Sequence, residues 1–422
     1  MEVAYSEALR GAPGTPCPRR TVHPPNRLET RNWDLLAALP GLWSSSSLFA
    51  LADHLHCLTG RKHVFFAPSC RAAIAQVLSL LPQQEVVIPA FTCPVVKTAV
   101  LIAGKRVIYV DTAPHQLNST SVQFEKHAKP GRVLIPTHLF GIPTDIERIC
   151  DLARQRGCVT IEDAAAALGA RRNGRLLGTF ADVGVFSFER SKRFPAFRGA
   201  AVVVNDEQVV SPSRFTDFQA VQTRDVLPIR EILFSLMFNA ATLPWMYGRF
   251  VVPRQLKKYA RWSPETRSPG LQDAVRTRAY TNRFHPYQAA LVTRMLMRMA
   301  DIRKRIGRLV SIYMETLRDT PVATFLPNEC DHAALLRFPV AIPGAKRSDV
   351  LRQALRRGLF LETNYETTLN EEADGSFPNA LWLAQNVFLL PLYTALPEQS
   401  ARRLAQEVAL IGSNYAHAVP SR

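Results

Sequence analysis

The chain has 422 residues, of which 47% are hydrophobic and 21% are charged, a composition typical of a globular protein with a sizeable core. Seven scattered cysteines without metal-ligand spacing exclude a disulfide-rich scaffold and a zinc finger, and they favour reduced thiols in a cytoplasmic protein. No uncharged apolar run reaches the roughly 18 residues that a membrane-spanning helix needs, and we assign no metal site.

The net charge is +17, with 52 basic and 35 acidic residues. Such an excess favours anionic partners, which include nucleotides, acidic membrane surfaces and nucleic acid. Because the basic residues are spread along the chain, a solvated basic surface explains the excess equally well. No recognition motif or basic helix is apparent, so we expect no nucleic-acid binding.

The sequence predicts three regions of different composition. Residues 1–32 are rich in Pro and Arg and lack the apolar centre of a signal peptide, so we expect a disordered arm. Residues 33–300 are expected to form a large α/β domain. The pattern changes after about residue 330, and residues 301–422 are expected to form a small α+β domain.

From about residue 62, short apolar runs alternate with amphipathic stretches. The predicted strands are 85–91, 106–111, 132–141 with a polar end, 158–162, 182–188 and 200–206. The predicted helices are 69–81, 94–104 and 144–156. This alternation predicts βαβ units and a mostly parallel sheet covered by helices. Functional groups in such sheets lie beyond the carboxyl ends of the strands.

Residues 227–262 break the alternation, because they are strongly apolar and basic at both ends. One interpretation is a pair of interfacial helices on a membrane surface. The other is a helical hairpin that packs against the core or against a second subunit, and we favour this one.

Asp163 lies at the end of a predicted strand and precedes a run of alanines, residues 164–167. Small side chains allow a flat heteroaromatic ring to lie close to the backbone, and a carboxylate can keep a ring nitrogen protonated. The alternative is an aspartate that caps a helix N-terminus.

Lys192 lies just beyond the predicted strand that ends at Phe188. A lysine at a strand end can be partly desolvated and thereby become nucleophilic. The alternative is a solvated lysine in a turn, since Arg190 and Arg193 flank it and are themselves expected to be solvated. His138, at another strand end, is expected to be a structural histidine bonded to a neighbouring loop.

Several short motifs follow one another in a fixed order along this part of the chain. They are His-x-Phe-Gly at 138–141, Glu-Asp-Ala-Ala at 162–165, a hairpin with Asn173-Gly174 and Gly178, Asp-Val-Gly at 182–184, and Ser-Phe-x-x-x-Lys at 187–192. In this order they resemble the DegT/DnrJ/EryC1/StrS family of sugar aminotransferases, and the resemblance runs from about residue 62 to the C-terminus. These enzymes use pyridoxal phosphate and have the aspartate aminotransferase fold, fold type I.

The resemblance implies roles for four residues of the predicted strand ends. Lys192 would form the Schiff base with pyridoxal 5′-phosphate and shuttle a proton during catalysis. Asp163 would pair with the pyridine nitrogen. Ala165 would lie against one face of the ring, and Ser187 would give its hydroxyl to the cofactor phosphate.

Two further cofactor-binding positions depart from the family pattern. The Gly-Thr pair that binds phosphate in the family falls on Ser69-Cys70, where a helix N-terminus still offers backbone N–H groups to an anion. The aromatic residue that stacks on the ring in the family falls on Cys93, so either Phe91 replaces it or this face of the ring is open.

The segment YTNRFHPYQAAL, residues 280–291, resembles the part of the family sequence that reaches the phosphate in a partner subunit. Thr281 or Asn282 would supply its asparagine, and the resemblance therefore implies a homodimer with a shared active site. Ala166 replaces a common glutamine, and residues 197–200 replace a Gly-Glu-Gly-Gly motif. These departures mark a divergent member.

The resemblance implies transfer of an amino group from an amino acid, glutamate or glutamine, to a keto sugar that is most often nucleotide-linked. The resemblance does not decide whether the aminated sugar enters a surface polysaccharide or a secondary metabolite. Relatives that dehydrate deoxysugars carry His in place of the lysine, and Lys192 argues against that reaction here. The remaining alternative is a catalytically divergent or inactive protein of the same fold, in which residues 227–262 bind a membrane or a partner.

Overall fold

The computed structural model describes residues 2–9, 22–215, 227–260, 282–327, 331–369 and 376–415. The strands are β1 His63–Ala67, β2 Glu85–Pro89, β3 Arg106–Val110, β4 Arg132–Leu134, β5 Val159–Asp163, β6 Arg171–Arg172, β7 Arg175–Leu176, β8 Val183–Ser187, β9 Ala200–Val204, β10 Ala323–Thr324, β11 Phe338–Ala341 and β12 Val387–Leu390. The longer helices are α1 Glu2–Leu9, α2 Asn32–Ala37, α3 Ser46–Thr59, α4 Cys70–Leu80, α5 Pro94–Ile102, α6 Ser121–Glu125, α7 Ile146–Gln155, α8 Ile229–Ala241, α9 Val252–Ala260, α10 Pro286–Met297, α11 Met299–Leu317, α12 Arg347–Arg356, α13 Pro378–Asn386 and α14 Glu398–Ser413.

Seven strands form the main sheet in the order β1-β9-β8-β5-β4-β2-β3. Neighbouring strands from β8 to β3 are parallel, and β9 runs antiparallel to both β8 and β1. The mostly parallel sheet predicted from the alternating pattern is confirmed. Its strands therefore end at one common edge, where the predicted site residues lie.

Helices cover both faces of this sheet. Val86 and Ile88 of β2 pack with α4 and α5 on one face, while Val87 between them packs with Phe124 and Ile149 of α6 and α7 on the other. Burial on both faces explains why the strands are continuous apolar runs rather than alternating ones.

A pair of hydrogen bonds and a close backbone contact hold the centre of the sheet in place beside the site. The Asp182 carboxylate accepts the Thr160 backbone N–H at 2.7 Å and its hydroxyl at 2.8 Å, which joins β5 to the chain entering β8. A Cβ at Gly184 would lie 1.8 Å from the carbonyl oxygen of Gly178, so only glycine fits there.

The C-terminal part contains a second, antiparallel sheet in the order β10-β11-β12. Helices α12 and α14 accompany it, and α14 packs against α11. Strands and helices thus alternate here as the sequence predicts for a small α+β unit. The predicted domain boundary near residue 300 falls within helical structure, since α11 begins at Met299.

The prediction that residues 1–32 are disordered is wrong for the described parts of this stretch. Residues Glu2–Leu9 form α1, and the buried Tyr5 donates its hydroxyl to the Leu361 carbonyl at 2.8 Å. Glu29 is buried as well. Although the stretch is rich in Pro and Arg, it buries enough side chains against the C-terminal part to become ordered. Residues 10–21 lie outside the described residues.

Residues 227–260 are helical, as both interpretations of this segment predict. Helix α8 is followed by the short turns Pro244–Met246 and Tyr247–Val251 and then by α9. Tyr259 of α9 stacks on Tyr5 of α1, with ring centroids 5.5 Å apart, so this end of the segment packs against the protein. No helix among the described residues is long and apolar enough to cross a membrane.

Candidate active site

A cavity of about 320 Å³ opens at the carboxyl edge of the main sheet. Seven of the ten predicted site residues line it: Ser69, Cys70, Cys93, Asp163, Ala165, Ser187 and Lys192. They come from the ends of β1, β2, β5 and β8 and from the loops that follow, which are far apart in the sequence. The parallel sheet brings them together, as expected for side chains at strand ends.

Asp163 is the last residue of β5, and its carboxylate is only 4% exposed. It accepts the Ala165 backbone N–H at 3.1 Å and a hydrogen bond from the Thr137 hydroxyl. Burial raises the pKa of Asp163, whereas the Ala165 hydrogen bond and the Lys192 ammonium oppose that rise. A cationic ring nitrogen in the cavity would offset the cost of this buried charge.

Lys192 lies in the loop between β8 and β9 and is half-buried, facing the same cavity as Asp163. Its backbone N–H donates to the Glu189 carbonyl at 2.9 Å, which closes a turn after β8. Lys192 thus lies in a turn, as the alternative interpretation has it, but its side chain is half-buried at the cavity rather than fully solvated. An amine and a buried carboxylate share one small cavity with the short side chains of Ala165 and Ala166.

The residues flanking Lys192 are not the solvated charges that the sequence predicts. Arg193 is 6% exposed, and its guanidinium pairs with Glu29 and donates to backbone carbonyls of the C-terminal part, including that of Leu392 at 3.3 Å. Arg190 is half-buried, and its guanidinium lies 4.2 Å from the ring centroid of Phe234 in α8. The expectation was wrong because packing partners from distant segments cover this loop.

One end of the cavity is suited to an anion. Ser69 caps α4 by accepting the Ala72 backbone N–H at 3.2 Å, and the first N–H groups of a helix have no partner within it. Arg71, the second residue of α4, also lines the cavity, and its buried Nε has no hydrogen-bond partner among the described residues. Ser187 Oγ lies in the same wall. A phosphate group fits this combination of donors and positive charge.

Cys70 begins α4, and burial raises the pKa of its thiol well above the ordinary value. The thiol is therefore neutral and does not compete with Lys192 as a nucleophile. The five cysteines in the described part of the chain are free, in agreement with the expected reduced thiols.

The expectation that Phe91 replaces the missing ring-stacking residue is wrong. Phe91 is buried behind the cavity wall, where it meets Tyr365 edge to face at 5.8 Å between ring centroids. Tyr365 itself lines the cavity together with Cys93, and the two side chains share a hydrogen bond. The aromatic side chain of this wall thus comes from the C-terminal part, and no motif in the sequence indicated it.

His138 is structural, as expected. It is fully buried, Nδ1 accepts the Thr144 backbone N–H at 3.2 Å, and Nε2 therefore carries the proton donated to Glu162 at 2.8 Å. Glu162 also accepts the backbone N–H of Phe180 at 2.9 Å, and so binds the loop that leads into β8. This buried pair supports the strand end that carries Asp163.

Of the two residues predicted to reach a partner subunit, the described one, Asn282, does not line the cavity. Thr281 lies outside the described residues, and Asn282 is half-buried just before α10. Gln288, in the same segment 280–291, is buried in α10 and donates to the carbonyls of Ala196 at 2.8 Å and Arg198 at 2.9 Å. It fixes the end of the lysine loop.

Arg71 is the functional candidate that the sequence could have indicated. A cation in the first turn of a helix is unfavourable beside the positive end of the helix dipole, unless an anion lies there. Arg71 directly follows Ser69-Cys70, the predicted anion-binding start of a helix, so the sequence already placed a cation at this helix start.

Comparison with known proteins gives both a family and a fold. A model of the DegT/DnrJ/EryC1/StrS aminotransferase family matches residues 45–228 and 255–409. The chain is 33% identical over 160 residues to UDP-N-acetyl-3-dehydro-α-D-glucosamine 3-aminotransferase of Acidithiobacillus ferrooxidans, a match that covers 38% of the chain and 42% of that protein. It is 24% identical to dTDP-4-dehydro-2,3,6-trideoxy-D-glucose 4-aminotransferase of Saccharopolyspora spinosa, over 87% of the chain and 89% of that protein.

A solved DegT DnrJ EryC1 StrS aminotransferase from Brucella abortus has the same fold, with a TM-score of 0.69 at 19% identity, over 90% of this chain and 95% of that one. The family model covers most of the chain and leaves residues 229–254 unmatched between its two ranges. The chain therefore belongs to the DegT/DnrJ/EryC1/StrS aminotransferase family, whose enzymes depend on pyridoxal phosphate.

Proposed function

We propose that this enzyme moves an amino group from glutamate or glutamine to the keto carbon of a nucleotide-linked sugar. The observation that carries the proposal is the single cavity that holds Lys192, Asp163 and the start of α4. The relatives named above act on keto sugars linked to UDP or dTDP, and the net charge of +17 suits such anionic substrates. We place the product in surface polysaccharide or secondary-metabolite sugar biosynthesis in the cytoplasm.

The residues of the cavity fit pyridoxal phosphate. Bound there, the cofactor supplies an electron sink for the charge that develops at the amino acid Cα. Asp163 is the residue that would hold a proton on the pyridine nitrogen, because its buried carboxyl lines the same cavity as the Lys192 amine. Ala165 and Ala166 leave room for a flat ring beside this carboxylate.

Lys192 has two tasks in this proposal. Its Nζ would hold the cofactor covalently, which requires an amine at the cavity wall. As a free amine, it would be the base that takes the Cα proton and later gives a proton to the sugar carbon. The buried Arg193 next to it keeps the loop in place for both steps.

The helix start would hold the cofactor phosphate. Ser69, Ser187 and the first N–H groups of α4 supply neutral donors, and Arg71 supplies positive charge. The guanidinium would replace the hydroxyl that the family threonine provides, since Cys70 offers no comparable donor.

The half-reaction with an amino acid tests the proposal. The purified protein, loaded with pyridoxal phosphate, is mixed with glutamate or glutamine, and release of the corresponding keto acid is measured. Lys192→Ala should abolish release, whereas the exposed Lys62→Ala should behave as wild type. Mass spectrometry of the products from a panel of UDP- and dTDP-linked keto sugars then identifies the acceptor. A protein that binds the cofactor but releases no keto acid from any amino acid would favour the inactive-scaffold alternative.

We also propose a homodimer in which the stretch around Thr281 and Asn282 reaches the partner subunit's cavity. Support comes from the family resemblance of residues 280–291 and from the place of Asn282 outside the wall of its own cavity. Light scattering should give about twice the chain mass of 47.2 kDa. Mixed dimers of Lys192→Ala and Asn282→Ala subunits should recover activity that each variant lacks alone, and no recovery would contradict a shared site.

A further inference from the structure

Most of the apolar-basic segment, residues 227–260, lies outside the family pattern. The family model matches the chain up to residue 228 and again from residue 255, which leaves residues 229–254 unmatched. The cofactor cavity does not use this part of the chain. The exposed side chains of the apolar-basic segment therefore need an explanation other than cofactor binding.

Helix α8 turns an apolar stripe outward. Ile229, Leu233 and Met237 lie four residues apart, which places them on one face, and they are 53%, 57% and 72% exposed. Phe234 extends the stripe at 42% exposure. The buried face of the same helix includes Asn239, whose side-chain amide donates to the Thr30 carbonyl at 3.0 Å. The usual arrangement of a surface helix, with polar residues outward, is thus reversed.

Further exposed apolar residues, two of them tryptophans, lie after α8 and on the helix that packs beside it. Trp245, just after α8, is 57% exposed. Helix α2 packs beside α8, and its Trp33 and Leu36 are 69% and 48% exposed. Exposed tryptophans beside aliphatic side chains are typical of surfaces that enter the headgroup region of a bilayer.

The exposed charges of the segment have one sign. Five basic residues are exposed: Arg230, Arg249, Arg254, Lys257 and Lys258. The one acidic residue in 227–260, Glu231, is ion-paired with Arg198 and largely covered. Exposed apolar side chains and exposed cations on the same segment are complementary to an anionic lipid surface.

A second copy of the chain fits this surface less well. In a two-fold interface centred on the segment, the five cations of one copy would face the same five cations of the other copy. The only acid of the segment is already ion-paired in each copy, so repulsion between the cations would oppose association. In an anionic bilayer, by contrast, the apolar stripe can insert among the lipids, and the lipid headgroups neutralise the cations. We propose that residues 227–260 bind the enzyme peripherally to anionic membranes.

The segment is also joined to the lysine loop. Arg190 lies over the ring of Phe234, and Arg198, which lines the cavity, pairs with Glu231. Membrane binding through α8 therefore holds the loop that carries Lys192 close to the lipid surface. This inference does not depend on which sugar the enzyme aminates.

Vesicle co-sedimentation of the full chain tests the proposal. Wild type should sediment with phosphatidylcholine vesicles that contain about one third phosphatidylglycerol, and its partition should be roughly tenfold weaker with phosphatidylcholine alone. The double variant Leu233→Glu/Met237→Glu should lose at least about tenfold in partition to the anionic vesicles, because two apolar side chains no longer enter the lipid. Leu410→Glu, at a 52% exposed position on α14, is the matched control and should bind as wild type.

Two results would overturn the proposal. The first is wild type that stays in the supernatant with both kinds of vesicle; if the double variant is then also monomeric by light scattering, the surface is assigned to a second copy. The second is a double variant that sediments as well as the Leu410→Glu control.

Discussion

Arg193, the residue directly after Lys192, forms a buried ion pair with Glu29, which lies 164 residues earlier in the chain. Glu29 also accepts the hydroxyl of Thr394 at 2.6 Å, and the Arg193 guanidinium donates to the Leu336 carbonyl at 3.4 Å. The loop that carries the candidate cofactor lysine is therefore tied to both an N-terminal and a C-terminal segment. Burial lowers the pKa of Arg193, and the Glu29 carboxylate opposes that change.

Breaking this pair should destabilise the protein strongly. In Glu29→Gln the guanidinium stays buried without its counter-charge, a change that typically costs about 3–5 kcal/mol in the free energy of unfolding. The control is Glu398→Gln, which removes a half-exposed partner of Arg305 and should cost less than about 1 kcal/mol. Urea unfolding of both variants measures the difference, and similar small losses would mean that the pair contributes little.

Replacing Arg71 should weaken the binding of pyridoxal phosphate. A hydrogen bond to a charged group contributes about 1.5–3 kcal/mol, so we expect Arg71→Met to lower the affinity by roughly ten- to a hundredfold. Titration of the cofactor-free protein, followed by visible absorption, gives the dissociation constant.

Pyridoxal, which lacks the phosphate, is the control ligand for that titration. If Arg71 contacts the phosphate, wild type and Arg71→Met should bind pyridoxal equally well. A variant that loses affinity for both ligands to the same extent would show that Arg71 acts on the shape of the cavity instead.

Asp163 should make the cofactor-free protein less stable as the pH rises. Burial raises the pKa of Asp163, so the folded protein holds this proton more tightly than the unfolded chain, in which the pKa is about 3.9. Stability is therefore lost as the pH rises through the interval between these two pKa values, and the loss is constant above it. Asp163→Asn removes the buried charge and should raise the thermal midpoint of the cofactor-free protein near neutral pH.

The difference in stability between Asp163→Asn and wild type should depend on pH. The gain in stability of Asp163→Asn over wild type should shrink as the pH is lowered toward the raised pKa of Asp163, because the wild-type carboxyl then becomes protonated. Thermal unfolding of both proteins across this range measures the gain. A gain that does not change with pH would contradict the role of burial at Asp163.

The sequence predicted the parts of the molecule that depend on local pattern. Strand β5 and Asp163 follow from an apolar run and its end, and the six residues from Ser187 to Lys192 follow from a motif with fixed spacing. The edge of the parallel sheet then brings them into one cavity without further information.

The parts that failed depend on contacts between distant segments. The Glu29–Arg193 pair and the place of Tyr365 in the cavity wall join the N-terminal stretch, the lysine loop and the C-terminal part. Composition suggested disorder for Glu29 and solvation for Arg193, because neither residue has its partner nearby in the sequence. Propensity and composition describe a segment by itself, whereas burial depends on what packs against it.

The covalent link to Lys192 is the most direct test of the account. The protein is incubated with pyridoxal phosphate, reduced with borohydride, digested and analysed by mass spectrometry. The account predicts one cofactor adduct, located on Lys192, and its absence from Lys192→Ala while the Lys62→Ala control keeps it. An adduct located on a different lysine, or no adduct in wild type, would contradict the assignment of this cavity as the cofactor site.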